Sequence, residues 1–123
     1  MRHALIIDDN MVISRAIENR LMAYGFDTFD LTWAERQATE AAAQHAPDLI
    51  VIGDSVADGS PIEVARHIAT SCNAPVLMVT SGRVHAEQHL PAGTRITGPF
   101  HVTHLEAALM SAGAVAQELE LCA

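Results

Sequence analysis

The sequence predicts an α/β fold of the doubly wound kind, a three-layer (βα)5 sandwich around a five-stranded parallel sheet. Two observations carry that expectation. Apolar runs at Ala4 to Ile7, Leu49 to Ile52 and Val76 to Val79 are β-branched-rich and do not alternate with polar residues, as suits strands covered on both faces. Between them lie segments with helical spacing, and strands that alternate with helices need right-handed crossovers.

The elements follow in order. After the first strand, Ile13, Ile17, Leu21 and Tyr24 form one apolar stripe on a helix that Gly25 ends. "FDTFDL" reads as the second strand. Trp33 to His45 is alanine-rich and stops before Pro47, which predicts a second helix. Leu49 to Ile52 is the third strand, and Ile62, Ala65, Ile68, Ala69 and Cys72 mark a third helix. Beyond the fourth strand, "SGRVHAEQHLPAG" has room for a turn or two of helix before Pro91 and Gly93 stop it. "TRIT" is the short fifth strand. From Val102 onward, Leu105, Ala108, Leu109, Ala112, Val115, Ala116 and Leu119 hold the spacing of a closing amphipathic helix.

With 123 residues, half of them hydrophobic and 18% charged, the chain is expected to be a single globular domain over residues 1–123. No apolar run is long enough to span a membrane, and the N-terminus has no signal-peptide pattern. A cytoplasmic protein is expected. Seven Lys and Arg stand against 15 Asp and Glu, for a net charge of −8, so a nucleic-acid backbone would be repelled. Cys72 and Cys122 have no metal-like spacing and read as free thiols. Neither a repeat nor a low-complexity tract interrupts the chain.

In a doubly wound sheet the crevice lies beyond the C-terminal ends of the strands, where strand order reverses. Four segments belong there: Asp8-Asp9-Asn10, Gly53-Asp54-Ser55, Thr80-Ser81-Gly82 and Gly98-Pro99-Phe100. Adjacent carboxylates at Asp8 and Asp9 crowd like charges, an arrangement usually kept by a bound cation, and oxygen ligands suit Mg²⁺. One of the acids could instead cap the following helix. His85 with His89, and His101 with His104, have spacings that could hold a metal, but no cysteine or carboxylate accompanies them, and they read as surface histidines. Ser55, Ser60 and Ser81 have no general base and read as turn formers. No catalytic residue is expected, and the chain is not expected to be an enzyme.

"LIIDDN", "PDLIVIGD", "VLMVTSG" and "GPF" together resemble the response-regulator receiver domain of two-component signalling, across essentially the whole chain. The resemblance implies a flavodoxin-like, CheY-like sandwich. It also implies an acidic pair for Mg²⁺, a phosphoacceptor aspartate closing the third strand, a hydroxyl closing the fourth and a lysine before Pro-Phe.

Laid without gaps on the family pattern "PDLVLLDxxMPxxxGLEV", the stretch "PDLIVIGDSVADGSPIEV" puts Gly53 on the phosphoacceptor. Asp54 falls one place later and should point away from the crevice, because side chains alternate along an extended segment. Gly98 stands where the family has its switch lysine, and Arg95 where it commonly has an aromatic switch residue. Asp8, Asp9 and Thr80 remain as a partial pocket. With no carboxylate from position 53, Asp8 and Asp9 make at most a weak Mg²⁺ site, and no other cofactor is expected.

The resulting expectation is a stand-alone, degenerate receiver that signals without aspartyl phosphorylation. It would act by binding a protein partner such as a histidine kinase, another regulator or a second copy of itself, with no nucleic-acid or membrane partner. The family often uses its fourth helix, fifth strand and fifth helix as a contact face, though the segment from Val84 to Leu90 is short for it. Two other readings stay open. A bulge permitted by Gly53 could bring Asp54 into the slot as phosphoacceptor. Alternatively the domain could bind a small ligand, although it has no glycine-rich phosphate loop.

Overall fold

A computed structural model describes residues 2–57, 59–80 and 96–111. Five parallel strands form one sheet in the order β2-β1-β3-β4-β5. They are β1 (Arg2–Ile7), β2 (Phe26–Thr32), β3 (Leu49–Ile52), β4 (Val76–Thr80) and β5 (Ile96–His101). Helices α1 (Met11–Met22), α2 (Glu35–Gln44) and α3 (Pro61–Ser71) follow the first three strands, and α4 (Leu105–Ser111) follows the fifth. Strand order reverses between β1 and β3. The ends of those two strands, at Ile7 and Ile52, are paired in register.

Alternation along the strands divides the core in two. Ala4, Ile6, Leu49, Val51, Leu77 and Val79 face Ile17 and Leu21 of α1 and Leu105 and Leu109 of α4. Leu5, Ile7, Ile50, Ile52, Val76 and Met78 face Ala38 of α2 and Val64, Ala65 and Ile68 of α3. All four residues of β3 are fully buried, which explains a run without polar alternation. The three-layer sandwich expected from the sequence is therefore the fold.

Several boundaries differ from the sequence reading. The first helix ends at Met22, so Tyr24 lies in the turn before β2, where its hydroxyl bonds Glu106 of α4. Gly25 completes that turn with φ +92°. The second helix starts at Glu35, because Trp33 and Ala34 stay extended and accompany residue 57: the Ala57 N–H donates to the Trp33 carbonyl at 2.7 Å. Cys72 caps α3 from just outside it.

The fifth strand runs through Gly98, Pro99 and Phe100 to His101, so the segment expected as a crevice loop is part of the sheet. A bulge allows this: between Leu77 and Val79, β5 advances by one residue more than β4. A short 3-10 turn at Val102–His104 separates β5 from α4. The expected helical turn within residues 81–93, with Ser81, His85 and His89, lies outside the described residues. So do Thr94, Arg95, Cys122 and the closing helix beyond Ser111.

Candidate functional site

Asp8 leaves the end of β1 with its backbone still in the ladder, donating to the Thr32 carbonyl at 2.9 Å. Its side chain is 1% exposed. The carboxylate accepts the Asn10 N–H at 2.7 Å through Oδ1 and also takes the backbone N–H of Asp54. Ser14 of α1 donates its hydroxyl to the Asp8 carbonyl at 3.4 Å. Burial holds the Asp8 carboxyl above the usual carboxylate range; the neighbouring charges of Asp9 and Asp54 add to that, and the two backbone N–H bonds work against it.

Gly53 follows β3 directly, buried, with its N–H on the Ile7 carbonyl at 2.9 Å. The space beside it is taken. A Cβ built on Gly53 would overlap Asp8 Oδ2 and stand 2.6 Å from Asp8 Cγ, so the Asp8 carboxylate lies where any side chain at position 53 would begin. Asp54, one residue on, is exposed. The strand ends at Ile52, and Asp54 is the first residue of the following loop to reach solvent.

Asp9 is exposed and is fastened to the β3–α3 loop twice. Its N–H donates to the Ser55 carbonyl at 2.9 Å, and its Oδ2 accepts the Ser55 hydroxyl at 3.0 Å. The helix cap considered for the acidic pair belongs instead to Asn10, whose Oδ1 accepts the Val12 N–H at 3.0 Å. Ser55 is thus more than a turn former, and Ser60 is the cap of α3, accepting the Glu63 N–H at 3.4 Å. Spacing could have indicated the second role, since Ser60 precedes Pro61 and stands three residues before Glu63.

Thr80 closes β4, buried, opposite His101 of β5. His101 turns to Thr103, its Nδ1 lying 2.7 Å from that hydroxyl, and its ring stands edge-on to His104 at 6.2 Å. Gly98 has φ +119°, and a Cβ there would overlap the Met78 carbonyl oxygen and lie 3.2 Å from its carbon. The lysine position of the family pattern is therefore one where this backbone tolerates no side chain without rearranging.

The acidic pair does not fit Mg²⁺ as arranged. That ion needs near-octahedral oxygen donors, usually with one or two free carboxylates. Here Asp8 is turned over Gly53 onto two N–H donors, Asp9 is tied to Ser55, and position 53 supplies no carboxylate. Among the described residues no three His, Cys, Asp or Glu side chains converge as a metal-binding group.

A second polar cluster, not foreseen from the sequence, lies at the opposite edge of the sheet. His3 places Nε2 2.9 Å from Asp30 Oδ2 and Nδ1 2.9 Å from the Thr28 hydroxyl, while its backbone N–H donates to Asp48 Oδ2 at 2.8 Å. It joins β1 to β2 and to the entry of β3. No spacing rule could have shown it, because the partners lie 25 to 45 residues from His3.

No family model matches the chain. A transcriptional regulatory protein KdpE of Mycobacterium tuberculosis is 30% identical over 127 residues, an alignment covering 98% of this chain and 56% of that protein. A protein-glutamate methylesterase/protein-glutamine glutaminase of Archaeoglobus fulgidus is 25% identical, covering 94% of this chain and 33% of that one. The chain thus spans between a third and just over half the length of these relatives. Among solved structures, a two-component response regulator from Clostridium difficile superposes with a TM-score of 0.74 at 18% identity, covering 97% and 98% of the two chains. The receiver domain of the Erythrobacter litoralis PhyR response regulator does so with a TM-score of 0.69 at 26% identity, covering 90% and 88%.

The fold is that of response-regulator receiver domains, the class to which these solved structures belong. Among the described residues, no helix is long and apolar enough to cross a membrane.

Proposed function

We propose that this receiver-type domain signals by binding another protein, without phosphorylation of an aspartate. The observation that supports the reading is Gly53, buried at the end of β3 with the Asp8 carboxylate lying over it. Glycine supplies no nucleophilic carboxylate there, one added would have to displace that of Asp8, and Gly98 supplies no ammonium to answer a phosphoryl charge. Without either group a phosphodonor has no differential interaction with which to bias two conformations.

The rim of the crevice suits a protein contact. Met11, Val12 and Trp33 are 45%, 77% and 48% exposed, three of the four large hydrophobic side chains left in solvent among the described residues. They stand at the C-terminal edge of the sheet, beside the exposed acids Asp9 and Asp54. Apolar groups among charges at a crevice mouth favour association with a partner surface. The partner class is a histidine kinase, another regulator or a second copy of the chain.

Intact-mass measurement after incubation with acetyl phosphate and Mg²⁺ tests the reading. The expected result is an unchanged mass. A stoichiometric, acid-labile gain of one phosphoryl group overturns it, and loss of that gain in Asp54→Asn assigns the alternative in which Asp54 is the acceptor.

A further inference from the structure

We propose that the acidic pair of this domain is a metal-independent clasp, holding the three loops at the crevice by direct hydrogen bonds. The bonds form a closed set. Asp8 joins its own loop to β3–α3 by accepting both the Asn10 and Asp54 N–H groups. Asp9 doubles that connection through the backbone and hydroxyl of Ser55, and Ala57 N–H carries it on to the β2–α2 segment at Trp33. Asp8 N–H on the Thr32 carbonyl completes the circuit.

Two carboxylates side by side need compensation, and a divalent cation is the usual source. In this chain three donors supply it: the N–H groups of Asn10 and Asp54 at Asp8 and the Ser55 hydroxyl at Asp9. They are placed by the same glycine that removes the third carboxylate. A side chain at position 53 would displace Asp8 from its donors, whereas glycine leaves the pocket into which that carboxylate folds. Gly53 is therefore part of the clasp rather than a mere deletion of chemistry. The proposal concerns how the loops are held and stands whether or not a partner binds the rim.

Amide hydrogen exchange of the wild-type protein, followed by NMR, tests the clasp directly. The Asn10 and Asp54 amides should be protected in EDTA and exchange no more slowly when MgCl2 replaces it at matched ionic strength. Unprotected amides in EDTA, or protection that appears with saturable Mg²⁺ dependence, overturn the proposal. A double-mutant cycle gives an independent reading. Gly53→Ala should lower Tm by roughly 5–10 °C in the wild-type background and by much less in an Asp8→Ala background, where the overlap is gone. Equal losses in the two backgrounds overturn it as well. Should Asp8→Ala fail to fold, Ser55→Ala provides the milder change, and it should raise the exchange rate at Asn10 and Asp54 while leaving amides of β4 unaffected.

Discussion

Replacing Gly98 by alanine should be among the most damaging single-methyl changes available in this chain. At φ +119° an L-residue is strained by about 1–3 kcal/mol. The new Cβ also meets the Met78 carbonyl oxygen, a backbone atom of β4 at a residue paired with Ile52 of β3, and relieving that overlap costs roughly a further 1–3 kcal/mol. Restricting the unfolded chain returns about 0.4–1 kcal/mol. The net loss is about 1–5 kcal/mol with a midpoint of ~3 kcal/mol, a large part of the ~5–15 kcal/mol that holds a typical domain together. For a chain of this length it corresponds to a fall in Tm of roughly 10–20 °C. Gly25→Ala is the matched control. Its φ is +92°, but nothing lies within 4 Å of the added Cβ, so only strain remains, about 1 kcal/mol net. Urea unfolding followed by the fluorescence of Trp33, the single tryptophan, with circular dichroism alongside, measures both variants. If Gly98→Ala costs no more than Gly25→Ala, crowding by Met78 does not explain the glycine.

Two other outcomes follow from the site. Because Asp8 has its carboxyl raised chiefly by burial, the folded protein binds that proton more tightly than the unfolded chain, and the term from Asp8 becomes more favourable as pH falls from the folded value towards the ordinary 3.8. The stability difference between wild type and Asp8→Asn, measured in urea at successive pH values, should therefore shift towards wild type on acidification from pH ~7 to ~4; a shift towards the variant refutes the burial argument. Asn10→Ala removes the bond to Val12 N–H that starts α1 and should cost about 1 kcal/mol in the same assay, whereas an unchanged unfolding midpoint would show that water replaces the cap at no loss.

The fold was legible because its signals are local. Unalternated runs such as Leu49 to Ile52 report burial on both faces, and all four of those residues are at 0% exposure. The end of β5 was not legible. "GPF" reads as a loop because Gly and Pro usually break strands, and the bulge that keeps them in the sheet depends on pairing with β4, which no local pattern contains. In the crevice, Gly53 is buried and Asp54 exposed, yet Asp54 stays near enough to Asp8 for its charge to act on that carboxyl. The position of Asp8 could not be foretold. It depends on an empty volume created 45 residues away, and a sequence displays the acids without displaying the space between them.

Gly53, at the crevice, and Gly98, within β5, consequently differ in kind. Gly98 is demanded by the main chain, through its dihedral angle and the Met78 carbonyl. Gly53 has no such backbone demand, and what excludes a side chain there is one carboxylate, that of Asp8, which could turn away only by giving up the N–H groups of Asn10 and Asp54. An aspartate placed at 53 would bury a second carboxylate against the first, in surroundings that already disfavour the ionised form of Asp8. A lysine placed at 98 to neutralise it would meet the strained backbone before its ammonium reached the site. Each substitution removes the conditions under which the other could help, so the pair cannot be restored one residue at a time. Packing around both positions thus opposes the addition of an acceptor at 53 and an ammonium at 98, and accommodating the two would require Asp8 and the β5 bulge to move as well.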